Sequence, residues 1–120
     1  MGQQTILLVE DDAGFAYAVW RHFEANGYRV VSVDSAMAAL EQWESNRIDI
    51  VIADIHLSSD GPNGILLSQM IKHESGDIPI ILLTGYPNLA HDQNDLPGRV
   101  IYKPVELSSL QQVVEHSLAA

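Results

Sequence analysis

The sequence predicts an α/β protein built on a doubly wound, five-stranded parallel sheet of the flavodoxin-like type, strand order 2-1-3-4-5. Three observations predict it. Strand-type and helix-type segments alternate along the 120 residues. The strand-type segments are nearly continuous apolar runs, the pattern of strands covered on both faces. Polar and acidic residues follow these runs at once, as expected where a parallel sheet gathers its functional groups at the carboxyl edge.

Each element has its own signal. Thr5–Val9 is a short apolar run and reads as a buried strand. Ala13–Ala25 reads as a helix, with Phe15, Val19 and Phe23 about one turn apart and Gly27 just past its end. Tyr28–Val33 is β-branched and strand-like. Ser35 suits the cap of a second helix carrying Ala39, Leu40 and Trp43. Ile48–Ala53 is the third strand, and a turn-rich loop from Ser58 to Gly64 follows it. The third helix spans Ile65–His73, with Leu66, Leu67, Met70 and Ile71 as its apolar set. Ile78–Leu83 is the fourth strand and Val100–Tyr102 a short fifth. The last helix runs from Val105 to Leu118, with Leu107, Leu110, Val113, Val114 and Leu118 on one face. Between the fourth and fifth strands, Gly85–Gly98 carries Pro87 and Pro97 and has no helical stripe. The helix expected fourth in such a fold is therefore short or disordered.

The composition narrows the function. One domain spans residues 1–120, and 47% hydrophobic residues suffice for a core. The net charge of −10 with only six Lys and Arg argues against a nucleic-acid binder or an anionic-membrane binder. There is no cysteine, no visible signal peptide and no apolar run long enough to span a bilayer, so a cytoplasmic location is expected. The chain ends soon after the last helix, and no output domain is expected within it. A stand-alone regulator and an excised piece of a larger regulator or hybrid kinase both stay open.

The chemistry sits after the strands. Glu10-Asp11-Asp12 follow the first, Asp54 the third, Thr84-Gly85 the fourth and Lys103-Pro104 the fifth. In a parallel sheet these ends converge on one edge. Two unit charges about 4 Å apart repel by roughly 4 kcal/mol at an effective dielectric near 20. Three carboxylates gathered there need a cation, and a hard divalent ion with oxygen ligands such as Mg²⁺ suits them. Lys103 is a mobile point charge for a carboxylate or phosphoryl oxygen, and Thr84 offers a hydroxyl. Taken alone, Asp11 and Asp12 fit a helix N-cap better than a metal site. With Asp54, Thr84 and Lys103 in register, the metal site becomes the better reading. His22, His73, His91 and His116 lack zinc-site spacing, and Trp20 and Trp43 read as packing residues on helices.

The runs Leu7-Leu8-Val9-Glu10-Asp11-Asp12, Ile50-Val51-Ile52-Ala53-Asp54, Leu82-Leu83-Thr84-Gly85 and Lys103-Pro104 together resemble the receiver domains of two-component response regulators, over nearly the whole chain. The resemblance implies that Asp54 is the phosphoacceptor. It implies that Asp12 binds Mg²⁺ directly, with Asp11 assisting through water, Asp54 contributing and the backbone carbonyl of His56 as a further ligand. Thr84 and Lys103 would hold the phosphoryl oxygens, and the Lys103–Pro104 bond would be cis. The implied partners are a sensor histidine kinase or a phosphotransfer protein, with an unknown downstream target, no nucleic acid, no membrane, and a weak or phosphorylation-dependent dimer. The domain would be a signalling phosphoacceptor that assists its own phosphorylation, not a turnover enzyme.

Three departures accompany the resemblance. Ser58 stands where a proline is usual, and Gly64 comes about two residues late. Val100 occupies the place of the family's switch aromatic, whereas Tyr102 lies next to the lysine. Thr84-Gly85-Tyr86 followed by the Pro-broken segment is similar to a subgroup with a Thr-Gly-Tyr motif. In that subgroup, ordering of Gly85–Gly98 would replace the rotating aromatic. The alternatives are a receiver-like interaction module that is not phosphorylated and an Asp-nucleophile phosphatase. The latter usually has a second Asp two residues after the nucleophile, where this chain has His56.

Overall fold

The structure, a computed structural model, describes residues 2–58, 61–86 and 96–119. The segments alternate as β1 (Thr5–Val9), α1 (Ala13–Ala25), β2 (Arg29–Val33), α2 (Ala36–Ser45), β3 (Ile50–Asp54), α3 (Gly64–Glu74), β4 (Ile80–Thr84), β5 (Arg99–Tyr102) and α4 (Leu107–Ala119). The five strands form one all-parallel sheet in the order β2-β1-β3-β4-β5, as predicted. The helix predicted from Val105 to Leu118 is α4. The expectation of a short or disordered helix within Gly85–Gly98 falls largely on residues 87–95, which lie outside the described residues.

Strand periodicity divides the core. Ile6, Leu8, Ile50, Ile52, Ile81 and Leu83 point to one face and pack with Val19 and Phe23 of α1 and Leu110 and Val114 of α4. Leu7, Val9, Val51, Ala53, Ile80 and Leu82 point to the other and pack with Ala36 and Ala39 of α2 and Leu67 and Ile71 of α3. All five residues of β1, β3 and β4 are buried, which is why these strands show no polar alternation. The chain enters α1 and α2 through Asp12 and Ser35, whose side chains accept backbone N–H groups of the first turn.

Three elements differ from the sequence expectation. β3 and β4 begin and end later, so that Asp54 and Thr84 are the last strand residues and not the first loop residues. In α3, the buried stripe is Gly64, Leu67, Ser68 and Ile71, while Leu66 and Met70 are 47% and 41% exposed. The cause is Gly64. A Cβ there would fall on the carbonyl oxygen of Asp54, 2.8 Å from the carbonyl carbon. The first turn of α3 thus presses backbone to backbone on the tip of β3. That approach fixes the helix rotation and turns Leu66 and Met70 outward.

Candidate functional site

The carboxyl edge gathers the predicted groups. β1 hands over to Glu10, whose N–H still pairs with the carbonyl of Val33 on β2 at 3.0 Å. Glu10 therefore continues the strand's direction and its carboxylate turns into the edge, 2% exposed as a residue. Asp54, at the tip of β3, pairs in register with Leu83, one residue before Thr84. The Lys103 backbone N–H donates to the Thr84 carbonyl at 2.8 Å, which seats the lysine at the end of β5. The peptide bond that follows, Lys103–Pro104, is cis.

Lys103 is the hub. Its Nζ donates to Glu10 Oε1 at 2.7 Å and to Asp54 Oδ2 at 2.7 Å. It also stands 4.9 Å from the centre of the Phe15 ring, within cation–π range. The other oxygens are held by backbone donors. Asp54 Oδ1 accepts from the His56 N–H at 2.9 Å, and Glu10 Oε2 accepts from the Asp12 N–H at 3.1 Å. Asp11 Oδ2 accepts from the Ser58 N–H at 2.7 Å, tying the loop after β3 to the end of β1.

The electrostatics set the two neighbouring acids apart. Burial pushes the Glu10 carboxyl above the usual carboxylate range, more than the Lys103 and Asp12 hydrogen bonds pull it down. Asp11 moves the other way. Hydrogen bonding from Ser58, by hydroxyl and by backbone N–H, holds this open carboxyl below its ordinary value. For Lys103, burial opposes the charged form, but the hydrogen bonds to Asp54 and Glu10 outweigh it and raise the ammonium above its usual pKa.

Among the described residues, Glu10, Asp11 and Asp54 each offer a carboxylate oxygen, and these oxygens lie within 4.8 Å of one another. An all-oxygen donor set with net negative charge fits a hard divalent ion. Asp12 is not in this group. Its Oδ1 accepts from the N–H groups of Gly14 and Phe15 at 3.0 and 3.2 Å and so caps α1. Sequence reasoning weighed that capping role and placed Glu10 with the acids after the first strand, but it gave the ion to Asp11 and Asp12 and assigned Glu10 no part in holding it. The available signal was strand length: β1 ends at Val9, so the first acid after it is the one aimed along the edge.

Thr84 is fully buried, and its Oγ1 accepts the Tyr86 N–H at 3.0 Å. The His56 ring is exposed and meets the Tyr86 ring edge-on at 4.4 Å between centres. Val100 packs into the core on the α2–α3 face, while Tyr102 is 39% exposed.

The fold and the lysine-bridged acidic edge define the class: a doubly wound α/β domain with its polar centre at the carboxyl ends of β1, β3 and β5. The chain belongs to the response regulator receiver domain family, whose pattern matches residues 6–115. It is thus a receiver domain of two-component signal transduction, a family of signalling domains that bind Mg²⁺ in an acidic pocket and interact with histidine kinases and phosphotransfer proteins. It is 31% identical to sensor kinase CckA of Brucella abortus over 98% of this chain and 13% of that protein. It is 29% identical to the transcriptional regulatory protein ZraR of Escherichia coli over 95% of this chain and 26% of that protein. The chain therefore spans about a quarter or less of these relatives' length. Among solved structures, the response regulator receiver protein of Sinorhizobium medicae matches with a TM-score of 0.89 and 27% identity, covering 98% of this chain and 96% of that one. No helix of the described residues is long and apolar enough to cross a membrane.

Proposed function

We propose that Asp54 accepts a phosphoryl group from a phosphohistidine on a sensor kinase or a phosphotransfer protein. The observation that carries this reading is the Lys103 ammonium, 2.7 Å from both Glu10 and Asp54 with Asp11 in the same group. A carboxylate at a strand tip, flanked by a mobile cation and two further acids, is arranged for transfer of a highly charged group. Such transfer depends chiefly on positioning and charge neutralisation.

In the proposed reaction, a carboxylate oxygen of Asp54 bonds to phosphorus in line. The bond from phosphorus to the donor imidazole nitrogen breaks, and that nitrogen keeps the electron pair and takes up a proton. Lys103 exchanges its contact with Asp54 for a phosphoryl oxygen. The Thr84 hydroxyl, whose oxygen already accepts from Tyr86, has its proton left to donate to another. Asp11 and Asp54 would hold Mg²⁺ together with Glu10 and the backbone carbonyl of His56. The role of direct ligand falls to Asp11 because Asp12 caps α1. When bound, the ion supplies charge neutralisation for the phosphoryl oxygens. The His56 ring, on the loop two residues after the acceptor and in edge contact with Tyr86, would tune how readily water reaches the acyl phosphate.

Incubation with Mg²⁺ and acetyl phosphate or phosphoramidate, followed by intact mass, tests this. The wild-type chain is expected to gain one phosphoryl group, and Asp54→Asn none. A phosphorylated Asp54→Asn variant, or an inert wild-type chain, would overturn the reading and leave a receiver-like interaction module.

A further inference from the structure

Between α1 and the edge strand β2 lies a cavity of about 740 Å³ that meets the phosphoacceptor site only at its end, at Glu10 and Asp11. α1 builds one wall from Ala13, Ala16, Tyr17 and Trp20, spaced i, i+3, i+4 and i+7 along a single flank. Ala16 belongs also to the buried stripe of Val19 and Phe23, and Tyr17 and Trp20 stand outside that stripe. Tyr17 and Trp20 are 58% and 38% exposed, and their rings meet at 5.8 Å and 37° to form an open aromatic corner. Val30 of β2, on the face of the sheet that α1 covers, supplies apolar floor. At the end toward the carboxyl edge stand the carboxylates of Asp11 and Asp34, while that of Glu10 is buried on Lys103, and no Lys or Arg lines the cavity among the described residues.

We propose that this groove binds an arginine side chain carried by an extended basic segment of a partner protein. An aromatic corner beside carboxylates, above an apolar floor, matches the three parts of arginine: a planar cation that stacks, a fork that pairs with carboxylates, and an aliphatic stem. The α1 surface already attracts such a group, since the Arg21 guanidinium lies 5.9 Å from the centre of the Tyr17 ring. The cavity is far larger than one guanidinium and runs the length of β2, so it holds the neighbouring residues of an extended segment as well. The charge balance of the chain, −10 with six basic residues, makes a second copy a poor source of cations and steers a basic partner inward.

The test uses a blocked hexapeptide with two arginines, titrated into the unphosphorylated chain in a Trp43→Phe background, so that fluorescence reports Trp20 alone. The inference rests on the groove and not on the phosphoacceptor reading, and the assay contains no phosphoryl donor, so either can fail without the other. The arginine peptide is expected to change Trp20 emission saturably, with Asp34→Asn and Tyr17→Leu each weakening it at least about threefold. The same peptide with citrulline for arginine is expected to bind at least about tenfold more weakly. Equal binding of the citrulline peptide would leave an apolar groove with no cation preference and overturn the proposal. Binding untouched by both groove variants would mean diffuse attraction to an acidic protein, and self-association on peptide addition, read by sedimentation, would mean a dimer interface; both overturn it too. Thermal melts of the variants check that each keeps the fold, and both side chains altered are exposed.

Discussion

At the scale of single residues, the site turns on how one ammonium is shared. Lys103 donates to Glu10 and Asp54 at equal distance, and these bonds raise its pKa above the ordinary value of 10.5 despite burial. A lysine raised in this way stabilises the fold fully below its unfolded pKa. It loses that contribution as pH rises through the folded one. The urea midpoint of the wild-type chain is therefore expected to fall as the pH rises above about 10.5. Lys103→Met is expected to fall less steeply over the same window. Burial, chiefly, also raises the Tyr28 phenol, which loses stability in the same direction, so the difference between the two chains is the reading. Asp54, Thr84 and Lys103 were legible in the sequence because each stands at the end of an apolar strand. The division of labour within Glu10-Asp11-Asp12 was not. It depends on which acid still follows the strand and which already starts the helix, a matter of one residue that composition does not encode.

At the scale of elements, Asp12 belongs to α1 more than to the acidic group. Asp12→Ala removes the side-chain acceptor for two N–H groups and is expected to cost about 1 kcal/mol of stability. Mg²⁺ affinity is expected to stay within about twofold, a change well below 1 kcal/mol. A tenfold loss in a Mg²⁺ titration would return Asp12 to the ion's ligand set. α3 makes a second prediction. Gly64→Ala puts a methyl group onto the Asp54 carbonyl and is expected to destabilise by about 1–3 kcal/mol. Gly76→Ala, where no atom stands within 4 Å of the new carbon, is expected to change stability by no more than about 0.5 kcal/mol. Chemical denaturation of both variants decides it. Strand identity and order were readable because five apolar runs alternate with helices and leave little topological freedom. The exposed face of α3 was not readable. Leu66, Leu67, Met70 and Ile71 look equivalent in sequence, and only the backbone contact at Gly64 chooses between them.

At the scale of the whole molecule, 16 acidic against six basic residues make the folded chain repel itself, most of all at the edge where Glu10, Asp11 and Asp54 meet. A divalent ion that binds only the folded chain adds RT ln(1 + [L]/Kd), about 2.7 kcal/mol at a hundredfold excess over Kd. Thermal melts with rising Mg²⁺ are expected to show this gain, and Na⁺ at matched ionic strength only a small part of it, since screening acts weakly on a partly buried group. An equal effect of the two salts would remove the specific ion site. The sign and size of the net charge were plain in the sequence. Its concentration at the carboxyl edge followed from the sheet order that the strand pattern predicts, because residues 10 and 54 meet once β1 and β3 lie side by side.

The seating of Gly64 on Asp54 has a mechanical consequence. Contacts between flexible side chains absorb small displacements by rotating, but two backbones in direct touch have no such slack. The tip of β3 and the first turn of α3 consequently move as one rigid piece. A sub-ångström push at the Asp54 carbonyl is expected to pass to Leu66 and Met70 on the outer surface, as a lever passes load from its short arm to its long one.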